Sequence, residues 1–275
     1  MTQRTVAFLG GGKMAEALIG GLIRSGGRTP DEIMVTCRRE ARARELGGKY
    51  GIAATLDNAE ATRWATTLVL MAKPQDMEDM LAQIRPHVLP AELVISFAAG
   101  IRTSFVEKHL PEDVPVVRVM SNVPVMVDEA MSVVTGGRFA TEEHLARAEE
   151  LLGYVGKVLR LKETHLDAVT ATSGSGPAYF FLLAEAMIEA CILLGLSRDV
   201  ATELIIQTML GSAKMLRDTG KHPVELREMV TSPGGTTIEA IRHLEEAGVR
   251  AAFLNAIDAA RRRSEELAQG GDEDD

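Results

Sequence analysis

Short runs of β-branched and aliphatic residues alternate with helical patterns through the first 160 or so positions. TVAFLG (Thr5–Gly10), IMVTC (Ile33–Cys37), TLVLMA (Thr67–Ala72) and LVISFA (Leu93–Ala98) are almost continuously apolar. That pattern predicts parallel strands covered on both faces. PVVRVM (Pro115–Met120), MSVVTG (Met131–Gly136) and GKVLRL (Gly156–Leu161) complete the strand set, and Met14–Arg24 and Arg39–Lys49 carry helical spacing between strands. The alternation predicts an α/β, doubly wound sheet of the Rossmann type.

After Leu161 the strand pattern stops and an all-α half is expected, with helices over 166–173, 177–194, 198–217, 223–231, 237–247 and 249–267. Start signals are legible: Pro177 follows a Gly-Ser-Gly break, Ser197 precedes Arg198, and Thr236-Thr237-Ile238-Glu239 reads as a capping box. The expected division is 1–162, 163–269 and an acidic, disordered tail over 270–275.

Composition narrows the class. Of 275 residues, 46% are apolar, 25% charged and only 4% aromatic, which describes a globular protein with an aliphatic core. The net charge is −9, with four acids in the terminal GGDEDD, so no basic excess is present to attract nucleic acid. Cys37 and Cys191 are too few for a disulfide framework or a zinc site and fit a reducing cytoplasm. The first residues enter a strand pattern at once, leaving no signal peptide to read. The run from Pro177 has transmembrane length but carries Glu185 and Glu189, each costing roughly 2.5–3.5 kcal/mol near a bilayer centre. A helix buried between subunits accounts for it better than lipid does.

The chemistry begins at FLGGGKMAEAL, where Gly10-x-Gly12-x-x-Ala15 closes a strand and opens a helix. Glycines there permit a tight turn and close approach of a pyrophosphate, whose charge meets a helix N-terminus. An NAD-binding chain usually places Asp or Glu at the end of its second strand. This one reads VTCRRE, so Arg38 and Arg39 either clamp a 2′-phosphate, favouring NADPH over NADH, or simply begin a solvated helix. MAKPQ (Met71–Gln75) and SFAAGI (Ser96–Ile101) are further strand ends of the kind that line a ligand crevice. Ala98, Ala99 and Gly100 leave space for a nicotinamide ring, and Lys73 reads as a ribose or phosphate contact rather than a base. The six histidines form no cluster, and no metal site is signalled.

Taken together, GGGKMAEAL, MAKPQ, SFAAGI, VRVMSNVP (Val117–Pro124), TATSGSGPAYFFLLAEAM (Thr170–Met187), QTMLGSAKML (Gln207–Leu216) and HPVELREMVTSPGGTTIEAI (His222–Ile241) resemble the pyrroline-5-carboxylate reductases over nearly the full length. The resemblance implies reduction of L-1-pyrroline-5-carboxylate to L-proline by NADPH or NADH, a last step of proline biosynthesis. It also implies a helical half that dimerises, with larger assemblies of dimers in many members. It places cofactor contacts at Leu9, Gly10, Gly11, Gly12, Lys13 and Met14, near Arg38 and Arg39, and at Asn58, Met71, Ala72, Lys73, Pro74, Ala98, Ala99 and Gly100. Substrate contacts fall at Ser232, Gly234, Gly235, Thr236 and Thr237, with the Val230 backbone near the ring nitrogen and Thr237 nearest the chemistry.

TSPGGTT fits a single carboxylate: two glycines let backbone N–H groups converge at a helix start, and two threonines add hydroxyl donors. A plain helix cap is the alternative reading of the same residues. Lys13, Ser121 and Val123 stand where the family usually has Asn, Pro and Thr. Rival activities are reduction of another small cyclic imine, β-hydroxyacid dehydrogenation, for which Lys214 is the one lysine to consider, or non-catalytic NADP-dependent regulation.

Overall fold

The computed structural model describes residues 4–269, so the acidic tail expected over 270–275 lies outside the described residues. The chain divides into two compact units. One holds the chain up to Ser175 together with the stretch from Ala260 onward; the other is Gly176–Ala259.

The first unit is built on β1 (Val6–Leu9), β2 (Ile33–Thr36), β3 (Ala53–Thr55), β4 (Thr67–Leu70), β5 (Leu93–Ser96), β6 (Val116–Met120), β7 (Ala130–Gly136) and β8 (Gly156–Arg160). They form one sheet in the order β3-β2-β1-β4-β5-β6-β7-β8. Every pairing is parallel except β6 with β7. All four residues of β1, β2, β4 and β5 are buried, which is why these strands read as unbroken apolar runs. Alternate residues serve opposite faces. Val6 and Phe8 join one core with Ile33, Val35 and Val69, while Ala7 and Leu9 join the other with Leu68, Leu70 and Val94.

The helices of this unit are α1 (Lys13–Arg24), α2 (Glu40–Tyr50), α3 (Asn58–Trp64), α4 (Met77–Ile84), α5 (Thr103–His109), α6 (Glu142–Gly153) and α7 (Leu166–Val169). Leu18, Ile19 and Leu22 of α1 and Leu46 of α2 pack on the first face; Ala61 of α3, Leu81 and Ile84 of α4 and Val106 of α5 pack on the second. β3 is a strand the apolar pattern missed. It has three partly exposed residues, Ala-Ala-Thr, at the sheet edge.

Sheet order explains the crevice. β1 sits between β2 and β4, and Leu9 is in register with both Thr36 and Leu70. The three strands therefore end level, at the point where the winding reverses direction, and open α/β sheets bind ligands outside such strand ends.

After α7 the backbone widens into a π-type turn, Thr170–Gly174. The Asn122 side chain accounts for one carbonyl there: its Nδ2 donates to Ser173 O at 2.9 Å, while its Oδ1 accepts from Met131 N at 2.9 Å.

The second unit holds α8 (Gly176–Leu193), α9 (Arg198–Thr219), α10 (Pro223–Met229), α11 (Thr236–Glu246) and the first half of α12 (Val249–Gln269). Ser197 caps α9 by accepting from Val200 N, as its position predicts. α8 packs on α9, yet Phe180, Phe181 and Leu182 are each more than 60% exposed. The run Glu163–Leu193 is long and apolar enough to cross a membrane by length and composition alone. Its acids Glu185 and Glu189 are both exposed.

Candidate functional site

The turn between β1 and α1 is fixed from three sides. Gly10 adopts φ +111°, a conformation that other residues rarely hold. Its N–H donates to Thr36 Oγ1 at 3.1 Å, tying the turn to the end of β2. A Cβ added at Gly10 would press on the Met71 carbonyl at 3.1 Å, and one at Gly11 would strike Cys37 Sγ and come within 2.9 Å of Leu46 Cδ1. At Gly12 an added Cβ meets nothing within 4 Å. The first two glycines are thus required by packing against the protein, and the third faces open space. α1 starts at Lys13 without a side-chain cap, so its first N–H groups and positive dipole end face the same opening.

That opening is a cavity of about 530 Å³ lined by Gly10–Lys13, Cys37–Arg39, Arg42, Glu45, Met71–Lys73, Asp76 and Met80. Of the residues expected from sequence to touch a cofactor, Gly10, Gly11, Gly12, Lys13, Arg38, Arg39, Met71, Ala72 and Lys73 come together around it. Leu9, Met14, Asn58, Pro74, Ala98, Ala99 and Gly100 are not among its lining. The Leu9 side chain is buried in the core, although its carbonyl accepts from Met71 N at 2.9 Å and so sets the rim. Asn58 Nδ2 donates to Gln83 Oε1 at 2.8 Å. Gly100, at φ +78°, has Leu267 and Ala268 of α12 behind it, 3.4–3.5 Å from an added Cβ. An open glycine, an uncapped helix start and surrounding basic side chains fit a dinucleotide's phosphates.

Sequence reasoning missed Arg42 and Glu16. Arg42 Nε donates to the Gly11 carbonyl at 2.9 Å, its Nη2 to Glu16 Oε2 at 2.6 Å, and its Nη1 lies 2.8 Å from Glu45. Glu16 also accepts from Lys49 at 2.7 Å and from the Tyr50 hydroxyl at 3.3 Å. Hydrogen bonds from Lys49 and then Arg42 hold the Glu16 carboxyl down to about 2. The only signal in the sequence was spacing: Arg42 and Glu45 stand three residues apart on one face of α2. Cys37 lines the cavity as well, and burial pushes its thiol pKa up.

A second cradle lies in the helical unit. α10 ends at Met229 and is followed by its C-cap Val230, whose N–H is spent on the carbonyls of Arg227 and Glu228. Gly234 takes φ +69°, reversing the chain so that Gly235 N donates to Ser232 O at 3.1 Å. The expected capping box does not form. Gly235 is the N-cap, Thr236 is already helical, and no side chain caps α11. Glu239 instead pairs with Arg242, three residues on and within easier reach than the helix start. The N-terminal N–H groups of α11 consequently lack a side-chain partner, with the Thr236 and Thr237 hydroxyls beside them.

Among the described residues no group of three or more His, Cys, Asp or Glu is placed to hold a metal ion. Ser121, in place of the family's proline, has a use for its hydroxyl: it accepts from the Ser132 hydroxyl at 2.8 Å in a buried contact.

Comparison with known proteins places the chain in a family. Residues 163–267 match the family described as pyrroline-5-carboxylate reductase dimerisation, and residues 5–100 match NADP oxidoreductase coenzyme F420-dependent. A pyrroline-5-carboxylate reductase of Corynebacterium melassecola is 45% identical over 268 residues, covering 96% of this chain and 99% of that protein. Among solved structures, a pyrroline-5-carboxylate reductase from Coxiella burnetii superposes with a TM-score of 0.90 at 36% identity, covering 97% of this chain and 99% of the other. The Plasmodium falciparum pyrroline carboxylate reductase with NADP bound gives 0.87 at 26% identity, over 98% and 99%.

Proposed function

The chain belongs to the pyrroline-5-carboxylate reductase family, and on that premise we propose how its residues reduce L-1-pyrroline-5-carboxylate to L-proline. NADPH supplies the hydride. The turn from Gly10 to Lys13 and the start of α1 hold its pyrophosphate, with Arg38 and Arg39 at the 2′-phosphate end and Met71–Lys73 along the opposite wall. Asn58, Pro74 and Ala98–Gly100 complete the cofactor contacts.

The substrate carboxylate binds at the N-terminus of α11. One observation carries this assignment: a helix start opened by Gly234 and Gly235 and left without a side-chain cap. Backbone N–H groups and the hydroxyls of Ser232, Thr236 and Thr237 suit a single carboxylate. With the Val230 N–H already engaged, its carbonyl is the group left to accept from the ring N–H of the protonated imine. An iminium carbon is already electrophilic, so the protein contributes chiefly positioning rather than a strong acid. The helical unit pairs with a second copy of the chain, and two free cysteines suit a cytoplasmic enzyme.

The test is Thr237→Ala. Losing one hydrogen bond to a charged group costs about 1.5–3 kcal/mol, so kcat/KM for pyrroline-5-carboxylate is expected to fall roughly 10- to 100-fold. NADPH affinity, measured by fluorescence titration, is expected to hold. Unaltered kinetics would remove Thr237 from the site.

A further inference from the structure

The cofactor cavity contains an acid that works against the basic groups around it. Asp76 comes from the turn after β4, Pro74–Asp76, on the wall opposite α2. Arg38 Nη1 donates to Asp76 Oδ2 at 3.3 Å, so the pair spans the cavity from the end of β2 to the end of β4. The Arg38 side chain is 83% exposed and that of Asp76 41%, leaving both in reach of a ligand. Arg42 is no substitute, because its three nitrogens are committed to the Gly11 carbonyl, Glu16 and Glu45. Among the cavity's arginines, those open to a 2′-phosphate are therefore Arg39 and Arg38, the latter already paired with a carboxylate.

We propose that Asp76 sets the discrimination between NADPH and NADH by competing with the 2′-phosphate for Arg38. The proposal rests on reading this cavity as the cofactor site. The two cofactors differ only at the 2′ position, which in a Rossmann crevice lies by the end of the second strand. A 2′-phosphate carries one to two negative charges and must share Arg38 with Asp76, so the carboxylate both occupies the partner and repels the newcomer. NADH brings no charge there, and the Arg38–Asp76 pair stays as it is. NAD-binding chains place an acid at the end of the second strand itself. Here an acid reaches the same corner from the fourth strand, which holds down the advantage of NADPH and keeps NADH usable.

Asp76→Asn isolates the charge, since Asn keeps the shape and is equally suited to the start of α4. Dissociation constants for NADPH and NADH are measured on the full chain by cofactor fluorescence, without substrate, so the assay does not depend on turnover. The variant is expected to bind NADPH about threefold tighter or more, a modest gain for a partly exposed charge, while NADH shifts by less than about twofold. Arg38→Gln is expected to weaken NADPH and spare NADH. Weaker NADPH binding in Asp76→Asn would make the acid an aid that orients Arg38, and equal shifts for both cofactors would make it a structural residue; either overturns the proposal. Failure of the unmodified chain to bind either cofactor would overturn the reading of the cavity, and the proposal with it.

Discussion

Glu16 sits one turn into α1, yet three side chains from α2 converge on it. Lys49, Arg42 and Tyr50 donate to its carboxylate, and Arg42 also holds the Gly11 carbonyl, so this acid braces the phosphate turn from behind. Its side chain is only 13% exposed. Because its pKa falls from 4.5 to about 2 on folding, the ionised form is the stabilising one. That contribution is fully present above about pH 4.5 and is lost as pH falls toward 2. The gap in unfolding free energy between the wild type and Glu16→Gln, on the order of 3 kcal/mol at neutral pH, is expected to close over that interval when followed by denaturant titration at several pH values. A constant gap would mean the charge is not what braces the turn. The motif made the glycines of this turn legible in sequence. Arg42 was not legible, because RREARARE reads as an ordinary solvated helix face, and only the fold decides which of its charges is spent on a backbone carbonyl.

Among the elements, the β1–α1 turn is the one whose chemistry depends most on missing side chains. Gly11→Ala drives a methyl into Cys37 and Leu46, so either the turn or α2 must move. Overpacking of this kind costs about 1–3 kcal/mol. Thermal unfolding is expected to shift down, and both NADPH and NADH are expected to bind more weakly, since the pyrophosphate they share is what the turn serves. Gly12→Ala meets open space and is expected to spare the unfolding midpoint. Parallel strands were legible because burial on both faces leaves an apolar run. β3 was not, because an edge strand of three small residues carries neither run nor alternation. The start of α11 was read as a capping box because its residue types fit one. Gly235 at the cap position and the nearer partner for Glu239 decide otherwise, and neither preference is visible in a four-residue pattern.

For the molecule as a whole, the helical unit buries few of its own side chains. Ala201 and Ile205 are covered, while Phe180, Phe181 and Leu182 on α8 stand 61–67% exposed. Contiguous exposure of large apolar groups marks an association surface, and the family match over residues 163–267 is to a dimerisation unit. Phe181→Glu is therefore expected to shift the dimer toward monomer in sedimentation velocity and to lower turnover. NADPH titration is expected to be retained, because the cofactor cavity is lined wholly by residues of the sheet unit. α12 has a different consequence. Its final turns belong to the sheet unit, where the Ser264 hydroxyl donates to Asp167 at 2.7 Å, Ala268 is buried and Leu267 backs Gly100. A chain leaving the ribosome finishes the sheet's eight strands and then waits, roughly 5–20 seconds at ordinary elongation rates, before the turns that meet Asp167 and Gly100 are made. Through that interval Asp167 and Gly100 stand without the late-made helix that the finished fold sets against them.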